Sequence, residues 1–155
     1  MMHTVIDTHY MKEALKEARK AFEKDEVPVG AVIVSDGRVI ARAHNQIKML
    51  KDPTAHAEMI AITQAAEFLA SERLLKATLY ATIEPCAMCG GAMVLGRIDR
   101  LVFGAADPKT GVFGSKLDLN SLKLNHAIKV TKGVLEEECA GILKEFFSAK
   151  RRKVL

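Results

Sequence analysis

His56-Ala57-Glu58 and, further along the chain, Pro85-Cys86-Ala87-Met88-Cys89 constrain this sequence more than any other feature, because together they offer one imidazole and two thiols as metal donors. Structural zinc sites usually close with four protein ligands, whereas catalytic ones keep a position open for water. No fourth candidate stands at ligand spacing from these three. A fold available to this chain must bring His56, Cys86 and Cys89 to one point and leave a free corner beside them.

Each half of the pattern is ambiguous alone. Cys-x-x-Cys also occurs in thioredoxin-type redox pairs and in zinc ribbons, and His-x-Glu arises readily by chance. A redox pair does not need a His-x-Glu at a second helix start, however, and a ribbon needs a second Cys pair. Residues two apart do not share a helix face, so His56 and Glu58 cannot hold one ion simply as helical neighbours. The division that fits is His56 on the metal and Glu58 beside the open position. Zinc lowers the pKa of a water it binds to about 7, and a carboxylate within reach can then shuttle protons.

Periodicity places both motifs. Met11, Ala14, Leu15, Ala18, Ala21 and Phe22 recur at helical steps, predicting an amphipathic helix that Pro28 stops. Val29–Val34 and Arg38–Ala43 flank Asp36-Gly37 and read as a hairpin. Asp52-Pro53-Thr54 predicts a helix start with Thr54 as N-cap and His56 in the first turn; Ala57, Ile60, Ala61, Ala65 and Phe68 mark its buried face. Ala77–Ile83 reads as a strand, and Pro85 launches a helix through Cys86, Met88, Cys89, Ala92 and Met93. A helix N-terminus favours the thiolate that zinc requires. Arg100–Ala105 and Ala127–Thr131 read as further strands around a polar loop, and a last helix runs from about Glu136. This alternation predicts an α/β layered sandwich around a mixed sheet, with the site where strands give way to helix starts.

With 155 residues, 49% of them hydrophobic and 27% charged, the chain is expected to form one domain over residues 1–155 with a proper core. No apolar run is long enough to cross a bilayer or resembles a signal peptide, so the expected location is the cytoplasm. Three cysteines, an odd number, then argue for reduced thiols, and Cys139 sits in a helical pattern where a small buried residue is the ordinary occupant. The net charge of +4 permits a polyanionic partner without demanding one. Lys150, Arg151, Arg152 and Lys153 suit the negative end of a terminal helix and, equally, RNA phosphates.

His56-Ala57-Glu58 with Pro85-Cys86-Ala87-Met88-Cys89 matches the pattern of zinc-dependent deaminases that act on nucleobases. Glu26–Val32, Asp52–Glu58, Asn125-His126 and Leu135–Phe147 extend the likeness over nearly the whole chain, which resembles the bacterial tRNA-specific adenosine deaminases of the cytidine/deoxycytidylate deaminase superfamily. The resemblance implies a cytidine deaminase-like three-layer α/β/α sandwich with a central mixed five-stranded sheet. It implies one Zn2+ per chain on His56, Cys86 and Cys89, and Glu58 as proton shuttle. It further implies a homodimer that converts adenosine to inosine at the wobble position in a tRNA anticodon loop, arginine tRNA above all.

The same resemblance makes Asn45, otherwise a turn former after a strand, a substrate contact, together with Val29, Ala57, Asp107 and Lys109. Lys109 and the Lys150–Lys153 cluster could also be solvated surface charges. Phe146 and Phe147 are expected in the core, with one of them available for base stacking. Gly90-Gly91 and the bulky Val112-Phe113 depart from the family pattern, and the latter pair is expected at the rim of the pocket. Deamination of a free base or nucleoside such as cytosine or guanine by the same zinc core is the competing enzymatic reading. A noncatalytic RNA-binding subunit that keeps zinc for stability would gain little from an acid at Glu58.

Overall fold

Strand residues alternate between two apolar faces, and helices cover both of them. In the computed structural model, which describes residues 4–154, the elements run α1 (Val5–Glu23), β1 (Gly30–Ser35), β2 (Arg38–His44), α2 (Ile47–Leu50), α3 (Ala57–Leu69), β3 (Thr78–Ile83), α4 (Ala87–Leu95), β4 (Arg100–Ala105), β5 (Lys129–Lys132) and α5 (Glu136–Val154). The chain opening Met1-Met2-His3 and the final Leu155 lie outside the described residues. One sheet has the order β2-β1-β3-β4-β5. β1 pairs antiparallel with both β2 and β3, while β3, β4 and β5 are parallel, so the sheet is mixed as expected.

Ala31, Ile33, Leu79, Ala81, Leu101 and Phe103 face a core closed by Ala57, Ala61 and Ala65 of α3 and Met93 and Val94 of α4. Val32, Val34, Tyr80 and Val102 face the other way, onto Met11 and Ala14 of α1 and Cys139 of α5. Period-two alternation with apolar residues on both faces is what a sheet between two helical layers requires. The resulting α/β/α sandwich accounts for a fully buried Cys139, as its position in the helical pattern suggests. Burial pushes that thiol up to about 12, which leaves it a packing residue.

Small residues set the spacing of the layers. A Cβ on Gly30 would lie 2.0 Å from the Ala14 carbonyl oxygen and 2.5 Å from the Ala18 nitrogen, both backbone atoms of α1. The hairpin turn has Asp36 and Gly37 at φ 52° and 71°, the signs of a type I′ turn. At the far end of the sheet, Arg100 donates to Asp7 at 2.9 and 2.6 Å, and the Tyr80 hydroxyl donates to Asp7 at 2.8 Å.

Several local expectations are corrected. Pro28 does not stop α1: Lys24 caps it and Asp25 follows at φ 62°, with the Glu26 N–H closing onto the Ala21 oxygen. Thr54 is not the N-cap of α3, because its hydroxyl and N–H are engaged with Asp52 and the helix starts after His56. Phe68 is exposed, with the Arg38 guanidinium 5.7 Å from its ring centroid. Ala127 and Ile128 precede β5 rather than begin it, Ile128 being held in both directions by the Asn120 side chain. Val112 and Phe113 are buried in the core against Gly90, not placed at a rim. Phe146 is buried as expected, but Phe147 is exposed.

Two stability measurements check this packing. Gly30→Ala is expected to cost about 3 kcal/mol, the upper part of the usual overpacking range, because backbone rather than a pliant side chain must yield; a lower urea midpoint at unchanged slope is the readout. Burial tends to raise the pKa of Asp7, but hydrogen bonds from Arg100 and Tyr80 outweigh it and hold the carboxyl below its ordinary 3.8. The stability it confers is thus present above about pH 4 and lost as pH falls through the lower folded value. Asp7→Asn is expected to be destabilised at pH 7, with the gap to wild type closing below about pH 4 in thermal melts.

Candidate metal centre and its cleft

The start of β1 and the ends of β2, β3 and β4 lie at one edge of the sheet, since Gly30 pairs with His44, Ala31 with Ala81 and Ile83 with Ala105. Two helices begin side by side at that edge. His56 is the N-cap residue of α3 and Cys86 the N-cap residue of α4, both in extended backbone conformation and neither capping with its own side chain. Their side chains are therefore free to turn towards each other. Cys89, in the first turn of α4, completes a group whose donor atoms all lie within 4.8 Å of one another.

His56 Nδ1 lies 3.7 Å from Cys86 Sγ and 3.6 Å from Cys89 Sγ. With Zn–S near 2.3 Å and Zn–N near 2.0–2.1 Å, tetrahedral zinc separates nitrogen from sulfur by about 3.6 Å, so the spacing fits the ion. The donor chemistry fits as well. The Cys86 thiol is brought down to about 3 by hydrogen bonding to Cys89 and to His56, whereas that same bond to Cys86, and burial, push the Cys89 thiol up. His56 is raised, chiefly by its hydrogen bond to Cys86. A divalent cation is what allows both sulfurs to ionise together. Among the described residues this is the group of three His, Cys, Asp or Glu side chains that could hold a metal.

Glu58 stands next to these donors, buried, with Oε1 lacking any hydrogen-bond partner. Burial raises its pKa, the direction that suits a carboxyl that must both take and give a proton. A cleft of about 200 Å³ opens onto the group, lined by Val27, Val29, Asn45 and Ile47 on one side and Ile83, Asp107 and Thr110 on the other, and by His56, Glu58, Glu84 and Cys86.

Of the residues expected at the substrate, Asn45, Val29 and Asp107 line this cleft. Asn45 has a second task that the sequence does not signal: its Oδ1 accepts the Ala57 N–H at 2.8 Å and so caps α3 in place of Thr54. Ala57 itself is fully buried, with its N–H committed to that bond, and does not line the cleft. Lys109 is exposed beside the cleft rather than in its lining.

At the end of α5, Arg151, Arg152 and Lys153 are exposed, while Lys150 pairs with Asp25 and Asp25 with Lys48 at 3.4 Å. Lys48 follows Ile47 of the cleft wall, so the basic helix end reaches the same side of the molecule. The one-turn α2 is likewise without a signal in the sequence pattern. Glu26 holds it, accepting the Lys48 and Met49 N–H groups at 3.1 and 2.8 Å.

The MafB19-like deaminase family matches residues 6–151. A tRNA-specific adenosine deaminase of Bacillus subtilis (strain 168) is 53% identical over 95% of this chain and 92% of its own length. The chain belongs to the tRNA-specific adenosine deaminase family. A solved structure from work on A-to-I editing by tRNA:A34 deaminases at the wobble position of transfer RNA is 52% identical, with TM-score 0.85, covering 88% of this chain and 99% of that one. A guanine deaminase from Nitrosomonas europaea shares the fold at TM-score 0.81 and 23% identity, over 96% of this chain and 87% of that one.

Because Asn45 satisfies the first amide of α3, Asn45→Ala leaves a buried donor bare. It is expected to cost about 1–2 kcal/mol in denaturant unfolding, a loss that a residue serving substrate alone does not produce.

Proposed function

We propose that this chain hydrolyses the exocyclic amino group of adenosine to give inosine at the wobble position of a tRNA anticodon, arginine tRNA first among the substrates, and that residues 1–155 act as one zinc-dependent deaminase domain. The observation that carries the reading is the unpartnered Glu58 Oε1 beside three metal donors whose nitrogen–sulfur spacings fit tetrahedral zinc, in a chain of the tRNA-specific adenosine deaminase family.

His56 Nδ1, Cys86 Sγ and Cys89 Sγ would hold one Zn2+, which supplies an open position where water becomes acidic enough to lose a proton near neutral pH. Glu58 accepts a proton from the attacking water as oxygen adds to C6 of adenine. It delivers that proton to ring N1, then transfers the second proton of the former water to the amino nitrogen. Ammonia departs and the carbonyl of inosine remains. The raised pKa of Glu58 brings it towards the working pH, where both halves of the shuttle are efficient.

The cleft, near 200 Å³, is below the ~300–1,000 Å³ of sites that enclose drug-sized ligands. That size suits a single base splayed from a loop, with its sugar and phosphates left outside, which is how an anticodon offers its bases cheaply. Val29 and Ile47 provide apolar walls, and Asn45 keeps its Nδ2 for the nucleotide, since its Oδ1 is committed to Ala57. Asp107 and Lys109 flank the ribose and phosphate, and Lys150, Arg151, Arg152 and Lys153 take backbone phosphates further out. Homodimer assembly and a cytoplasmic location complete the proposal, the latter in keeping with no described helix being long and apolar enough to cross a membrane.

The test uses transcribed arginine tRNA against free adenosine, cytidine and guanine. Inosine in the tRNA without turnover of the small molecules is the expected result, and the reverse rejects the reading. Glu58→Ala is expected to keep zinc and tRNA binding while turnover falls by about 10²–10⁴-fold; His56→Ala is expected to lose the metal in elemental analysis. Near-normal turnover by Glu58→Ala would refute the role given to that carboxylate.

A further inference from the structure

Two buried carboxylates face the cleft, and they differ in one respect. Glu58 has an oxygen with no partner, whereas both oxygens of Glu84 are fully used. Glu84 follows β3 and comes just before Pro85-Cys86. Its Oε1 accepts the Asp107 N–H at 3.0 Å and the Ser115 hydroxyl, and its Oε2 accepts the Phe113 and Ser115 N–H groups at 2.9 and 3.1 Å. Those four bonds occupy the roughly four acceptor sites of a carboxylate. Nothing remains on it for a substrate proton or hydroxyl, so its work is done through the segment it grips.

That segment, residues 107–115, has little regular structure, and the carboxylate stands where a sheet partner would otherwise satisfy its amides. The backbone lies directly on Glu84: a Cβ at Gly111 would fall 2.2 Å from its Cδ and 2.4–2.5 Å from its oxygens. Asp107, held by its own N–H, carries the grip onward. Its Oδ1 accepts the Lys109 and Thr110 N–H groups at 3.0 and 3.2 Å, and its Oδ2 accepts the Thr110 hydroxyl at 2.7 Å. Asp107 and Thr110 form the cleft wall opposite Val29 and Asn45.

We propose that Glu84 is a positioning residue for the target nucleotide: by clamping residues 107–115 it sets the cleft wall that Asp107 and Thr110 form, and thereby the hold of the cleft on the extruded nucleotide. This rests on the deaminase reading above. The carboxylate acts by ordering four donors at once, which a neutral amide cannot do. In Glu84→Gln one of the two oxygens becomes an NH2 group facing N–H or O–H donors, and that side of the clamp opens.

The experiment compares zinc-loaded wild type, Glu84→Gln and Ser115→Ala, the last removing one donor while leaving the carboxylate in place. Amide hydrogen exchange in the free proteins reads the clamp, and steady-state kinetics on transcribed arginine tRNA read its consequence. Glu84→Gln is expected to keep one zinc per chain, to exchange faster at 107–115 and not in β3 or α4, and to raise KM for tRNA by about tenfold, the scale of one lost charge-assisted hydrogen bond. kcat is expected to change much less. Ser115→Ala is expected to show the same pattern more weakly, and it decides the matter should Glu84→Gln fail to fold.

Unchanged exchange at 107–115 overturns the clamp. A fall in kcat with KM and exchange preserved makes Glu84 a proton carrier instead, and loss of zinc in step with activity makes it a support of the metal site; either overturns the proposal. Absence of tRNA turnover by wild type defeats the deaminase reading and the nucleotide-positioning role with it, while the exchange measurement still decides whether the clamp exists.

Discussion

Everything at the site depends on two helices starting next to each other at one edge of the sheet. A helix start leaves amide groups unpaired and directs side chains outward, and here the first residue of each start, His56 and Cys86, turns its side chain to its counterpart rather than to its own helix. The consequence is a gap of tetrahedral size among one nitrogen and two sulfurs. A second consequence is that the amides of α3 must find another partner. Asn45 supplies it from the end of β2, and so couples the capping of the helix to the shape of the cleft.

The walls of the cleft show a second constraint. Both are irregular segments, one carrying α2 and the other running through Asp107 and Thr110, and irregular backbone near a core needs its polar groups satisfied. One buried carboxylate serves each side: Glu26 for the amides of Lys48 and Met49, Glu84 for those of Asp107, Phe113 and Ser115. Burial tends to raise the pKa of Glu84, but the hydrogen bonds from Ser115 and the backbone amides outweigh it and hold the carboxyl below its ordinary range. Glu58, with an empty oxygen, is the exception among these acids, and its pKa is raised where that of Glu84 is lowered. The contrast separates the carboxylate with an unpaired oxygen from those whose oxygens are committed to the walls.

Much of this was legible in the chain because it is written at short range. Val32, Ile33 and Val34 alternate into two cores, Asp36-Gly37 provides the positive φ values its turn needs, and the Cys-x-x-Cys spacing alone puts both sulfurs on one helix start. The misplaced boundaries have an equally physical origin. Pro28 is a strong breaker, yet Asp25 adopts a left-handed conformation three residues earlier, and Thr54 has the chemistry of a cap but prefers the nearer Asp52. Phe68 looks like core by period, but it lies exposed against the Arg38 guanidinium of β2.

What the sequence determined by itself was the set of atoms available for chemistry: an imidazole, two thiols and an acid at spacings suited to one metal ion and the water beside it, on elements whose type follows from local periodicity. Only the tertiary structure decided which remaining polar groups work and which merely support. Asn45 as the cap of α3, Glu84 as the clamp on a loop beginning 23 positions later, and the unused oxygen of Glu58 each depend on partners distant in the chain. A lone Glu or Asn carries no mark of such a partner, because a hydrogen bond is fixed by three-dimensional proximity and by exclusion of water, and neither exists until the layers have closed.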